Sequence, residues 1–230
     1  MTPVKLDADD ASVIIDVFYK RVYHNLFPFY ADSVIVDIGA HRGYFSIFCD
    51  SYSGKNSTIH ALEPEPSNFS RLRDNIKANQ CSKVQPHNMA VSGETGTREL
   101  YVSKSVNHTL VKTKGRHPKD SQEKSVSVNA VTLADFFQNN QIERVDFLKL
   151  DCEGSEYEIL LQCPKSVLDR IRVIALEFHD TGLPGYNVTG LIHFLEINGY
   201  QLVKLEFQET MQPLQMGILV MKNNGYPKSQ

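Results

Sequence analysis

Val34-Ile35-Val36-Asp37-Ile38-Gly39-Ala40-His41-Arg42-Gly43-Tyr44-Phe45-Ser46 decides how the rest of the chain is read. The apolar run ahead of Asp37 has the pattern of a buried strand. Tyr44, Phe45, Ile47 and Phe48 after Gly43 have helical spacing, so the two glycines mark a βα turn. Gly39 permits a tight turn and a close backbone approach to a ligand, and Gly43 lets the helix start against the sheet. A dinucleotide fingerprint reads G-x-G-x-x-G and seats a pyrophosphate on the helix N-terminus. Here Ala40 and His41 follow Gly39 and the second glycine is missing, which favours a cofactor without phosphates.

Outward from this turn the chain alternates. Residues 58–62 form a second strand ending at Glu63 and Pro64, and residues 68–78 carry Phe69, Leu72 and Ile76 on one helical face. A third strand is expected over residues 84–91. Residues 145–150 and 172–176 read as strands ending at Asp151 and Glu177, with a helix beginning at Ser155 between them. Another helix over residues 188–198 stops at Gly199. The last two strands, residues 201–207 and 216–221, are joined by a turn with no room for a helix, so they pair antiparallel. Upstream, Val13, Ile14, Val17, Phe18 and Val22 have the spacing of an amphipathic leading helix within residues 1–32. Strands alternating with helices predict an α/β fold, a mostly parallel sheet covered on both faces and closing in a C-terminal antiparallel hairpin. With no repeat and no linker, residues 1–230 read as a single domain.

The composition fits that reading. A hydrophobic fraction of 41% and a charged fraction of 22% over 230 residues are ordinary for a globular chain with one ample core. A net charge of −3 argues against non-specific nucleic-acid binding, which needs a basic surface. Residues 1–10 carry Asp7, Asp9 and Asp10 and lack the pattern of a secretory leader. No apolar run approaches the length of a membrane span. Cys49, Cys81, Cys152 and Cys163 show no CxxC pairing, so the expectation is a reducing, cytoplasmic setting without disulfides or zinc.

Ligands of open α/β sheets bind beyond the carboxyl ends of the strands, near the switch in strand order. Asp37, Glu63, Asp151 and Glu177 each stand directly after an apolar run, on four separate strands. Glu63 lies about 24 residues after Gly39, an offset that suits a carboxylate accepting hydrogen bonds from ribose hydroxyls. Pro64 and Pro66 stiffen the loop that follows, and Asn88-Met89-Ala90-Val91 is placed to wall an adenine ring. Residues 93–131 are polar, with alternation in Glu99-Leu100-Tyr101-Val102 and Val126-Ser127-Val128-Asn129. They read as a hairpin or short strands flanking a loop, with Thr132 capping a short helix.

The ordered set of motifs resembles the FkbM family of methyltransferases. Residues 36–46 are similar to its first motif, Ala61-Leu62-Glu63-Pro64-Glu65-Pro66-Ser67-Asn68-Phe69 to its second, and Asn88-Met89-Ala90-Val91-Ser92 to its third. Asp146-Phe147-Leu148-Lys149-Leu150-Asp151-Cys152-Glu153-Gly154-Ser155-Glu156 is similar to its most distinctive segment, and Leu176-Glu177-Phe178-His179 to its late strand. The resemblance implies a Rossmann-like class I methyltransferase fold with a seven-stranded sheet. It also implies methyl transfer from S-adenosyl-L-methionine to a hydroxyl of a sugar or other secondary metabolite. By position, Asp37, Gly39, Ala40, His41, Gly43 and Tyr44 would frame the methionine part, Glu63 and Pro64 the ribose, with Asn68 supporting that loop and Ala90 near the adenine. Asp151 would stand beside the methyl donor. His41 occupies a position where related sequences often carry Asn. A protein side chain or RNA as acceptor, a non-catalytic cofactor-binding module and a nicotinamide oxidoreductase are the competing readings.

A hydroxyl is a poor nucleophile, and removing its proton during attack typically adds about 10²–10⁴ in rate. Asp151, Glu153, Glu177 and His179 are the candidate catalytic groups. Direct base catalysis is the leading expectation. A divalent cation on Asp151, Glu177 and His179 is an alternative that is not expected, and structural roles, such as Lys149 pairing with Glu156, are another. The loop around residues 108–124, with Lys112, Lys114, Arg116, His117 and Lys119, reads either as a lid over the site or as a solvated insertion. The acceptor is a small molecule of unspecified identity, and the sequence is silent on oligomeric state.

Overall fold

The computed structural model describes Val17, residues 31–102, 109–110, 124–208 and 215–226. The expected leading helix, apart from Val17, and most of the 108–124 loop lie outside the described residues. Among the described residues, ten strands and six helices follow in chain order: β1 (Val34–Ile38), α1 (Tyr44–Tyr52), β2 (Thr58–Leu62), α2 (Pro66–Ala78), β3 (Val84–His87), β4 (Ala90–Val91), β5 (Gly96–Val102), β6 (Lys124–Val131), α3 (Leu133–Asn139), β7 (Phe147–Leu150), α4 (Glu156–Leu161), α5 (Lys165–Leu168), β8 (Val173–His179), α6 (Val188–Ile197), β9 (Tyr200–Phe207) and β10 (Met216–Asn223).

Seven strands form one sheet in the order β3-β2-β1-β7-β8-β10-β9, with β10 antiparallel to both β8 and β9 and the other pairs parallel. This is the predicted architecture. Because neighbouring residues of a strand point to opposite faces, β1 feeds two cores. Val36 and Ile38 pack with Phe136, Phe137, Tyr157, Leu191 and Leu195 from α3, α4 and α6. Ile35 packs on the other face with Phe45, Ile47, Phe48 and Leu72 from α1 and α2. Each such Phe or Leu side chain contributes about 1.5–3 kcal/mol by leaving water, so the central strands are held from both sides.

Helix starts follow local chemistry. Glu65 caps α2 by accepting from Asn68 N, with Pro66 at the first helical position, where its missing N–H costs nothing. Thr132 caps α3 through Asp135 N as expected, and Asn187 caps α6 through Gly190 N.

Two expectations are corrected. The third strand does not run to Val91; it stops at His87, and Ala90–Val91 joins a separate three-stranded sheet, order β4-β6-β5. Between them Asn88 Nδ2 donates to the carbonyls of Glu63 and Pro64, at 2.9 and 3.1 Å, which ties this bend to the end of β2. The small sheet contains the anticipated β5–β6 hairpin, closed over Ala90, Leu100, Val128 and Ala130. The strand expected to end before Glu177 continues through His179, because the β10 ladder pairs Ile218 with Glu177 and Met216 with His179. The short α5 was not anticipated.

Candidate active site

The first βα turn is fixed by contact between β1 and β7. Gly39 has φ +73°, and a Cβ there would lie 1.9 Å from the carbonyl oxygen of Asp151. Gly39 N and Ala40 N both donate to Leu62 O, at 3.1 and 2.9 Å, which holds the turn to the end of β2. Gly43, at φ +85°, brings the start of α1 against Leu72. Ala40 and Tyr44 are buried.

Asp37 turns its carboxylate into the protein on the α1 side. It is fully buried, accepting from Ser46 Oγ at 2.7 Å and from Lys149 Nζ at 3.0 Å. Lys149 also donates to Gly39 O at 3.2 Å and stands 3.9 Å from Asp151 Oδ2. Asp37 and Lys149 are register partners on adjacent strands, both turned to the α1 face, so a lysine inside an apolar strand has its counter-charge directly across the ladder. The alternative of a Lys149–Glu156 pair gives way to Lys149 with Asp37, while Glu156 accepts from Cys152 N and Gly154 N.

Glu63 is buried, with Oε2 accepting from His41 N and Oε1 from Glu65 N, each at 2.8 Å. Burial pushes its carboxyl up to about 8, against the downward pull of those two N–H groups. Each oxygen keeps a further lone pair, so the carboxylate can still accept from two hydroxyls. His41 reaches Glu63 through its backbone N–H and sits at φ +50°, in the left-handed region. Asn68 Nδ2 is buried in the first turn of α2 and lacks a hydrogen-bond partner among the described residues. An acidic acceptor pair and a leftover amide donor are the chemistry that a ribose and adenine require, so these residues fit an adenosine. Pro64 adjoins them, half-buried, and Ala90 is buried.

Beyond β7 and β8 the predicted catalytic residues come together. Glu156 is fully buried at the start of α4, with its oxygens accepting from Cys152 N and Gly154 N at 2.8 Å. His179 Nδ1 lies 3.2 Å from Glu156 Oε1, and His179 Nε2 lies 3.6 Å from Glu153 Oε2 and 3.9 Å from Glu177 Oε1. Burial pulls the His179 imidazole down, and the Glu156, Glu153 and Asp151 carboxylates together overturn this and raise it to about 10. Burial and then the charge of Asp151 raise Glu177 to about 7. Glu153 sits at φ +52°, and its carbonyl accepts from Thr109 Oγ1 at 2.8 Å.

Sequence reasoning missed Ser46, Thr109 and the role of Glu156, and it gave Asn88 to an adenine wall without its tie to the end of β2. A charged residue within an otherwise apolar strand was the available signal for the Asp37–Lys149 pair. Thr109 carried none, because its contact with the 151–156 turn spans 44 positions.

The strand order and the reversed β10 are those of the class I methyltransferase fold. The chain belongs to the FkbM family, whose methyltransferase domain matches residues 37–202, and its class of reaction is methyl transfer from S-adenosylmethionine. Among its relatives, Methyltransferase 1 of Beauveria bassiana is 28% identical over 191 residues, 74% of this chain and 76% of that protein. The 31-O-demethyl-FK506 methyltransferase FkbM of Streptomyces tacrolimicus is 26% identical over 64% of this chain and 65% of its own length. The hexuronic acid methyltransferase AglP of Haloferax volcanii is 24% identical over 70% and 62%. The fold is shared with the N-terminal domain of EvdMO1, solved with SAH and D-fucose, at TM-score 0.54, 13% identity and coverage of 96% and 85%. Among the described residues no helix is long and apolar enough to cross a membrane.

Proposed function

We propose that the protein methylates a hydroxyl of a small molecule, a sugar or other secondary metabolite, rather than a nitrogen or a carbon. The observation that carries this is the convergence of Asp151, Glu153, Glu177 and His179 beyond β7 and β8, adjacent to the Gly39 turn. Two of the relatives are named for a hexuronic acid and for a 31-O-demethyl substrate, which supports an oxygen acceptor.

When bound, S-adenosylmethionine supplies an electrophilic methyl on a positively charged sulfur. Glu63 would accept from the ribose hydroxyls, with Pro64, Asn68 and Ala90 around the nucleoside, and the 39–44 turn would line the methionine part. Asp37 acts from behind that turn, holding Lys149, which in turn holds Gly39 O and sits near Asp151. Asp151 and Glu177 are the partly exposed edge of the acidic cluster. They are placed to align an acceptor hydroxyl, and alignment alone can lower a barrier by about 7–11 kcal/mol. Proton removal falls to a carboxylate of this cluster, where Glu153 and Glu177 stand 3.6 and 3.9 Å from His179 Nε2.

The test is transfer of a radiolabelled methyl group to a panel of uronic acids, deoxysugars and hydroxylated polyketides, with aniline and thiol acceptors alongside. Label recovered as a methyl ether, and reduced about 10²-fold or more in Glu177→Gln, supports the reading. Label found on nitrogen or sulfur acceptors instead would overturn it.

A further inference from the structure

The groups around His179 form more than a base. One ligand atom each from Asp151, Glu177 and His179 lies within 4.8 Å of the others. Glu177 and His179 are two apart on β8 and so share a face, and Asp151 follows the adjacent parallel strand β7. His179 is buried, with Nδ1 turned to Glu156 Oε1, and Glu156 is itself held by two backbone N–H groups. That fixes the ring from behind and leaves Nε2 facing Glu153 and Glu177 at 3.6 and 3.9 Å, longer than hydrogen bonds. A histidine whose second nitrogen is set by a carboxylate while the first faces further oxygen ligands is the arrangement that metal-binding imidazoles adopt.

We infer that Asp151, Glu177 and His179 bind one divalent cation of the magnesium or manganese type. Two carboxylate oxygens and one imidazole suit a hard or borderline ion, whereas thiolate-seeking metals find no ligand in this set. Ligands on one side of a six-coordinate ion lie about 3 Å apart at metal–oxygen distances near 2.1 Å. The site therefore closes on the ion through Asp151 and Glu177, its two partly exposed members, while His179 stays fixed. The remaining coordination positions would be left for water or oxygens of an acceptor.

The cation's use in catalysis rests on the proposed hydroxyl methylation; its binding does not. A hydroxyl coordinated there is acidified and oriented. Its O–H bond breaks with the proton passing to the Glu153 carboxylate, the oxygen forms a bond to the methyl carbon, and the S–CH3 bond breaks with its electron pair going to sulfur. The products are a methyl ether, S-adenosylhomocysteine and a protonated Glu153. Sequence reasoning ranked a direct base ahead of a metal because nothing in the spacing shows that Glu156 orients His179.

The experiment uses the full chain after chelator treatment and dialysis. Manganese is titrated while the electron paramagnetic resonance signal of the free ion is followed, and S-adenosylhomocysteine binding is measured separately by calorimetry. The expected result is one manganese per chain, displaced by excess magnesium and weakened at least tenfold in Glu177→Gln. Thermal melting of the variant should match that of the parent. A folded parent that leaves manganese free at millimolar concentration, or a Glu177→Gln variant that binds it equally well, would overturn the cation site and leave a protonated His179 as the counter-charge. Homocysteine-nucleoside binding without manganese binding would sink the cation alone. Manganese binding without nucleoside binding would sink the methyl-transfer reading and keep the site.

Discussion

A methyl group added to Gly39 would sit 1.9 Å from the carbonyl oxygen of Asp151, so the cofactor turn and the catalytic turn are in backbone contact. Gly39→Ala must push β1 and β7 apart at their carboxyl ends and also carries the roughly 1–2 kcal/mol cost of a left-handed non-glycine residue. The expected outcome is loss of S-adenosylhomocysteine binding in calorimetry together with a lowered melting temperature. Retained affinity in Gly39→Ala would mean that the two turns do not cooperate in holding the cofactor.

Lys149 and Asp37 form a buried pair at 3.0 Å, with side-chain exposures of 6% and 0%. Removing one member leaves a buried charge, which typically costs about 3–5 kcal/mol. Lys149→Met should therefore destabilise strongly in urea unfolding, and Lys149→Met with Asp37→Asn should recover part of the loss. A single-variant cost below about 1 kcal/mol would contradict the pairing.

The raised carboxyl of Glu63 gives binding a pH dependence. Ribose hydroxyls donate to the ionised form, so binding must first remove a proton when the pH lies below about 8. The sign for folding is opposite. A carboxyl raised from 4.5 to about 8 contributes stability that is full below 4.5 and lost as pH rises through 8. The melting-temperature increase caused by S-adenosylhomocysteine should thus grow between pH 6 and pH 8 and then level, and Glu63→Gln should flatten the trend. A pH-independent increase in the parent would count against Glu63 as the ribose acceptor.

Glu156 touches no substrate and acts through His179 and the 151–156 turn. Glu156→Gln replaces one of the two oxygens that accept from Cys152 N and Gly154 N with an amide that cannot accept, and it removes the charge beside His179. An unsatisfied buried donor costs about 1–3 kcal/mol. The maximal methyl-transfer rate should fall about 10–100-fold, with S-adenosylhomocysteine affinity nearly unchanged. A folded variant with the parent's kcat would reduce Glu156 to a stability residue.

Much of the fold was legible because parallel strands buried on both faces write long apolar runs, as in residues 34–38 and 172–176, and because glycines punctuate them at residues 39, 43 and 199. The ending of β3 was not legible, since Asn88 is satisfied by carbonyls 24 and 25 positions away. Within the site, Glu63, Asp151, Glu177 and His179 stood out as polar residues at strand ends. Asp37 shared that signal but faces inward, because strand alternation turns it to α1 and Ser46. Glu156 was hidden for the converse reason. A glutamate in the first turn of a helix ordinarily reads as a dipole-complementing surface group, and only packing shows it buried beneath His179.

The most direct test of methyl transfer from S-adenosylmethionine is calorimetric titration of the purified chain with S-adenosylhomocysteine, run beside NAD and repeated in Glu63→Ala. One-site binding of the homocysteine nucleoside is expected, with none of NAD and an affinity reduced at least about tenfold in the variant, as loss of hydrogen bonds to a charged acceptor requires. A well-folded chain that ignores S-adenosylhomocysteine, or that prefers NAD, would contradict it.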